Sequence, residues 1–141
     1  MERALEAAWK PHDFAAIKGL WDIDDPQPVY IADKAFTRWA EIDRYWSHTA
    51  GVLARISYRT ANRMIKAASP DIEIVLYDMH WNAEVTPGGL FGGEMMAGDN
   101  RINIMLRRKP KGWRIFHCVE APVVGMVQMR QTMRALVDPD F

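Results

Sequence analysis

Residues 54–121 carry four strand-like segments one after another, and that run constrains the fold more than any other feature of the chain. Residues 54–67 are rich in Arg, Tyr, Ile and Thr and alternate loosely. "IEIVLYDMHWNAEV" (72–85) follows the turn "ASPD" and is apolar on both faces. "RINIMLRRK" (101–109) turns through "PKG" into "WRIFHCVEA" (113–121), and Pro122 is placed to stop the last strand. Between the second and third strands, "TPGGLFGGEMMAGDN" (86–100) has five glycines, which argues against regular structure over most of its length.

The segments before this run are helical. Residues 3–9 place Leu5, Ala8 and Trp9 on one face. Asp13 is a suitable N-cap for a second short helix in which Phe14, Ile17 and Trp21 recur at helical spacing. After the turn-rich "DIDDPQP" (22–28) and a short strand "VYIA" (29–32), a longer helix is expected over 37–53, with Trp39, Ile42, Trp46 and Leu53 in one stripe. Residues 123–137 close the chain with a helical pattern carrying Met126, Met129, Met133 and Val137, with Arg130 and Arg134 on the other side. That tail is expected to pack on the sheet edge or on a partner subunit. Helices first and a strand meander after predict an α+β fold, with helices on one face of an antiparallel sheet, as one domain over 1–141.

Composition narrows the function. Eighteen basic residues cancel eighteen acidic ones, and no like-charged run suggests nucleic acid or an anionic membrane as partner. Six Trp on a neutral chain point to something small and apolar, or to another copy of the same chain. The single cysteine, Cys118, leaves no internal disulfide and no Cys-based zinc site. No apolar run reaches the ~18 residues of a membrane span, and "MERALEAAWK" lacks a signal-peptide core, so a soluble, cytoplasmic protein is expected. No His/Asp/Glu set has metal-site spacing, and no glycine loop sits at a strand-to-helix junction; neither a metal nor a cofactor is expected. The pair Asp24–Asp25 is expected to cap or turn its loop.

Three pieces of sequence resemble one known family: "HDFAAIKGLWD" (12–22), "AEIDRYW" (40–46) and, most specifically, "RRKPKGWRIFHCVEAP" (107–122). The last is similar to the ending "RR-x-(D)G-x-W-x-I-x-H-x-H" of the nuclear transport factor 2-like (SnoaL-like, cystatin-like) superfamily. One departure stands in the motif: its second His is Val119 here. The resemblance implies a curved, cone-shaped sheet wrapped around the helices, an apolar pocket between them, and homodimers formed through the outer sheet face. The family includes ketosteroid isomerases, scytalone dehydratase, polyketide cyclases, an epoxide hydrolase, small subunits of ring-hydroxylating dioxygenases and pure binding modules.

Candidate site residues follow from strand parity, because side chains alternate along a strand. Trp113, Ile115, His117 and Val119 share one face of the last strand; Arg114, Phe116, Cys118 and Glu120 share the other. By family analogy the His117 face is the outer one, which puts Glu120 at the pocket end beyond Phe116 and Cys118. There it is either a general acid/base or the salt-bridge partner of Arg101 or Arg114. The family pattern turns Arg101, Asn103 and Met105 inward and Ile102, Ile104 and Leu106 outward. Asn103 would then orient substrate or belong to an internal network. On 72–85, Asp78 and His80 share a face, and an Asp can orient an imidazole; that face is either in the pocket or in solvent. Tyr30 is a candidate phenol donor. Trp46, with Trp39, Phe14, Trp21 and Trp9, either lines a cleft or fills the core. Leu90, Phe91, Met95 and Met96 form either a lid or an ordinary loop.

The favoured expectation is a cofactor-free enzyme that dehydrates, isomerises or cyclises a small hydrophobic cyclic molecule by acid/base chemistry. His80 or Glu120 would move the proton, Tyr30 and Asn103 would polarise, and Trp46, Phe116, Cys118, Met105 and Arg101 would line the pocket. The alternatives are a non-catalytic ligand-binding or dimeric assembly protein, and an accessory subunit of an oxygenase.

Overall fold

The structure, a computed structural model, describes residues 13–88 and 92–138. The helix expected at 3–9, with Trp9, and the loop residues Leu90 and Phe91 lie outside the described residues. The described chain runs α1 (Phe14–Gly19), β1 (Val29–Ile31), β2 (Ala35–Phe36), α2 (Trp39–Val52), β3 (Leu53–Ser69), β4 (Ile72–Val85), β5 (Met95–Lys109), β6 (Gly112–Pro122) and α3 (Met126–Ala135). It is an α+β fold built on one open, six-stranded sheet of order β2-β1-β6-β5-β4-β3.

Local chemistry sets the helices. The Asp13 side chain accepts from the Ala16 backbone N–H at 2.9 Å and caps α1. In α2, Ile42 and Trp46 are fully buried, and this face lays the helix against the sheet. Lys18 of α1 clamps Asp43 of α2 at 2.7 Å, fixing the two helices side by side.

Strands β3 to β6 form the expected antiparallel meander. Two features were not expected. The sheet is mixed, because β1 lies parallel to β6, with Tyr30 opposite Cys118. The segment before β1 follows the same edge: Ile115 donates to the Leu20 carbonyl and Asp22 donates to the Ile115 carbonyl. Moreover, β5 begins at Met95, so six residues assigned to the glycine-rich loop are strand, paired with the far end of β4. Gly98 permits this, because the Trp81 indole of the neighbouring strand occupies the space a side chain there would need.

The core lies between the helices and one face of the sheet. β4 contributes Val75 and Tyr77, and β5 contributes Ile102, Ile104 and Leu106. A register shift between Met105 and Leu106 leaves Phe116 as the extra residue of β6, so Ile115 and Cys118 both turn inward although three positions apart. At the other end of the sheet, Asp22 is only 2% exposed and is held by Arg107 and Lys109, each at 2.9 Å. Arg107 also pairs with Asp25, whose other oxygen accepts from the Gln27 N–H, so Asp25 turns its loop as expected and anchors it to the sheet as well.

Tail helix α3 stands away from this core. Met133 is 61% exposed, and Met129 and, beyond the helix, Leu136 and Val137 are exposed too, so that face of the tail is left open.

Candidate active site

A cavity of about 670 Å³ lies between α2 and the inner face of the sheet, within the range of small-molecule sites. Its walls are aromatic and aliphatic. Trp21 and Trp46 come from the helical side; Tyr77, Met79 and Trp81 come from alternate positions of β4. Val123, Val124 and Gln128 reach its rim from the connection into α3 and from α3 itself.

Glu120 is among its lining residues. It is half-buried. The Tyr30 hydroxyl donates to its Oε1 at 2.8 Å. The parallel β1–β6 pairing makes this contact, since it sets Tyr30 opposite Cys118, two residues before Glu120. Burial raises the Glu120 pKa above the ordinary carboxylate range, and the Tyr30 hydrogen bond opposes part of that rise. Burial, with the Glu120 charge added, raises the Tyr30 phenol well above its usual value. Tyr45 of α2, whose ring lies 5.7 Å from that of Tyr30, is pushed up to about 12 by burial and by the charges of Glu120 and Asp33. Both phenols therefore remain protonated donors at neutral pH. Burial likewise raises the Cys118 thiol, which keeps it from being a thiolate nucleophile.

Of the expected site residues, Tyr30, Trp46, Cys118 and Glu120 meet at this cavity. Glu120 has Tyr30 as its partner rather than Arg101 or Arg114: Arg101 binds Asp78 at 3.1 Å, and Arg114 donates to the Trp113 carbonyl.

The other five lie on the opposite face of the sheet. His80 points away from Met79 and Trp81 and pairs through Nδ1 with Asp99, not Asp78, at 2.8 Å. Arg101, Asn103 and Met105 face outward because Ile102, Ile104 and Leu106 take the core; with helices on one side of the sheet, the more apolar set of each strand is the one buried. Phe116 is displaced by the β6 bulge and lies under the Arg107 guanidinium, 4.4 Å from ring centroid to Cζ.

Sequence reasoning missed Tyr45, Tyr58, Tyr77 and Trp81. The signal was present: Val75, Tyr77, Met79 and Trp81 form a continuous apolar face opposite Asp78, His80 and Asn82. Met95 and Met96 are both exposed, and of the two only Met96 borders the cavity. Among the described residues, no three of His, Cys, Asp or Glu are grouped as metal ligands, and no helix is long and apolar enough to cross a membrane.

Comparison with known proteins agrees with this architecture. The model of the SnoaL-like domain matches residues 1–125. A nuclear transport factor 2-like superfamily protein from Salmonella enterica superposes with a TM-score of 0.77 at 16% identity, covering 88% of this chain and 87% of that one. A protein from Streptomyces avermitilis, provisionally assigned as a dehydratase of the same family, superposes with a TM-score of 0.76 at 15% identity, covering 88% and 92%. A hexachlorocyclohexane dehydrochlorinase gives 0.70 at 8% identity, covering 89% and 85%. At these identities the superpositions establish the fold alone. No curated protein matches the chain.

Proposed function

The chain belongs to the SnoaL-like domain family, and from that premise we propose that it is a cofactor-independent lyase or isomerase acting by acid/base chemistry on a small hydrophobic cyclic molecule. The observation that carries the reading is the Tyr30–Glu120 hydrogen bond in the wall of an apolar cavity. A carboxylate whose ionised form is disfavoured by burial is a stronger base when it does ionise, and two protonated phenols beside it supply hydrogen bonds to a developing oxyanion.

In this mechanism ionised Glu120 takes a proton from a carbon next to a carbonyl or next to a carbon bearing a leaving group. In the first case the C–H electron pair moves to the carbonyl oxygen, and the enolate accepts a hydrogen bond from the Tyr45 phenol. The protonated Glu120 then returns the proton at another carbon, completing an isomerisation. In the second case the C–H pair becomes a new double bond as the leaving group departs with the electron pair of its own bond, and protonated Glu120 hands its proton to the departing hydroxide, so that water is released. Tyr30 holds one carboxylate oxygen and leaves the other to the substrate. The dehydratase and dehydrochlorinase among the structural relatives perform eliminations by name, which favours the second case.

The test is a panel of cyclic β-hydroxyketones and unsaturated ketones followed by ultraviolet absorbance as conjugation forms or shifts. Turnover by the wild type that is lost in Glu120→Gln supports the proposal. Turnover that survives in Glu120→Gln, or tight binding of panel members with no turnover, overturns it and leaves a ligand-binding protein.

The chain acts as a homodimer in this proposal. On the outer sheet face, Leu76, Asn103 and Val119 stand opposite one another across three strands, and Ile74, Met105 and His117 form the next row. All six are half-buried, a mostly apolar patch at the centre of an otherwise charged face.

A further inference from the structure

The cavity has an electrostatic bias that its shape does not require. Among the described residues lining it, none is Lys, Arg or His, while Glu120 and Asp33 are acidic; Asp99 also borders it, but its carboxylate is paired with His80 on the outer sheet face. Glu120 and exposed Asp33 therefore set the field. The nearby cation Lys34 lies over the Phe36 ring, outside the lining. The remaining wall carries the aromatic rings of Trp21, Tyr45, Trp46, Tyr58, Tyr77 and Trp81, whose faces are regions of negative potential. An anionic ligand would enter this space against Glu120 with no cation to meet it. A cationic one would find a carboxylate oxygen turned to the cavity and π-faces around it.

We propose that the cavity takes a hydrophobic amine, with its protonated nitrogen against Glu120 and its ring system against the aromatic wall. The inference concerns the cavity of the proposed active site and rests on Glu120 facing it, not on turnover; an ammonium there occupies the Glu120 oxygen that would act as base, so the amine is a competing ligand rather than the carbon acid. Pairing with an ammonium also relieves the cost of ionising an enclosed carboxylate, so binding of the amine and ionisation of Glu120 favour each other. The groups facing Glu120 are Tyr30 on β1, Cys118 on β6 and Tyr45 on α2, all shifted to titrate higher, with Asp33 at the rim.

The experiment compares three ligands on one bicyclic skeleton, 2-aminotetralin, 2-tetralol and tetralin-2-carboxylate. The full chain is titrated with each, and quenching of Trp21, Trp46 and Trp81 at the cavity wall is the readout. The amine is expected to bind about tenfold more tightly than the alcohol, the size of one charge-assisted hydrogen bond, and the carboxylate most weakly. Glu120→Gln is expected to bring the amine down to the level of the alcohol. Amine affinity for the wild type is expected to rise with pH as Glu120 ionises and then level off, a measurement that stands even if the variant does not fold. Carboxylate binding equal to that of the amine, an amine preference that survives Glu120→Gln, a flat pH profile, or no binding by any of the three would each overturn the proposal. An amine preference without turnover of any panel compound removes the catalytic reading alone; turnover of a neutral ketone without amine preference removes this one alone.

Discussion

The indole of Trp81 lies over Gly98 on the neighbouring strand, so close that a Cβ at position 98 would sit 2.7 Å from Cζ2 of the ring. The Trp81 Nε1–H also donates to Oδ1 of Asn100 at 3.4 Å, which holds the ring in that place along the cavity wall. Gly98→Ala therefore forces the ring to move. The fold is expected to survive with a loss of about 1–2 kcal/mol, as for other small-to-large changes in packed sites. The Trp emission maximum should shift, and affinity for cavity ligands should change several-fold. A variant with unaltered emission and binding would show that Trp81 does not shape the cavity.

The pH dependence of activity separates the parts played by Tyr30 and Glu120. Glu120→Gln removes the base, and a loss of about 10²–10⁴ in kcat is expected. Tyr30→Phe keeps the base but removes the hydrogen bond that holds its pKa down, so Glu120 titrates higher. Because the base must be ionised, the acidic limb of the pH–rate profile should move to higher pH in Tyr30→Phe. A limb that stays where it is in the wild type would deny the 2.8 Å contact any influence on the reacting group.

The same carboxyl influences stability in the opposite sense. Its folded-state pKa is raised above the unfolded value, so its contribution is fully present below the unfolded pKa and is lost as pH rises through the folded one. At pH 8 the wild type bears the cost of an enclosed charge. Glu120→Gln should therefore unfold at higher temperature than wild type at pH 8, and the difference should shrink toward pH 4. Equal melting temperatures across that range would mean that burial does not penalise the carboxylate. A more stable but inactive variant is the usual exchange at a functional site.

Asp22 shows the reverse linkage. Burial alone would raise its pKa, but hydrogen bonds and charge from Lys109 and Arg107 outweigh burial and lower it. Its stabilising contribution is present above the unfolded carboxylate value and disappears as pH falls through the folded one. Asp22→Asn should cost about 2 kcal/mol at neutral pH, since the partner cations are part-exposed and retain some solvation. Chemical denaturation at pH 7 and at pH 3 tests this, with most of the difference expected at pH 7.

Leu76→Arg places a charge in the centre of the outer apolar patch. Light scattering should show a dimer for the wild type and a monomer for the variant, with unchanged far-ultraviolet circular dichroism. A wild-type monomer would dispose of the dimer proposal, as would a variant that still pairs.

Much of the element order was legible in the sequence because each element carries a local signal. The Asp13 cap, the Trp39–Ile42–Trp46 stripe and strands β3, β4 and β6 appear within two residues of the expected bounds, whereas β5 starts six residues before the expected 101. Which way a strand faces is not a local property. For β5, family analogy turned Asn103 inward, and the plainer rule that the all-apolar set Ile102, Ile104 and Leu106 is buried would have been right. For β6, parity correctly separated His117 from Glu120 but failed at Ile115 and Phe116, because a bulge resets the alternation and no residue type there announces one. Tyr30 was found as a donor, but its acceptor was not, since a parallel pairing between segments so distant leaves no mark in either segment.

That distance has a kinetic consequence. Tyr30 and Glu120 are 90 residues apart, and β1 is a three-residue strand added beside the final strand of the meander. The hairpins of β3 to β6 close short loops and can form early, whereas docking β1 closes the longest loop in the described sheet. A half-folded chain would therefore have most of the cavity's sheet wall and none of its paired acid and phenol. The chemistry of the site is withheld until the first strand has found the last, so recovery of catalysis during refolding should trail recovery of β-sheet signal and report the completion of the fold.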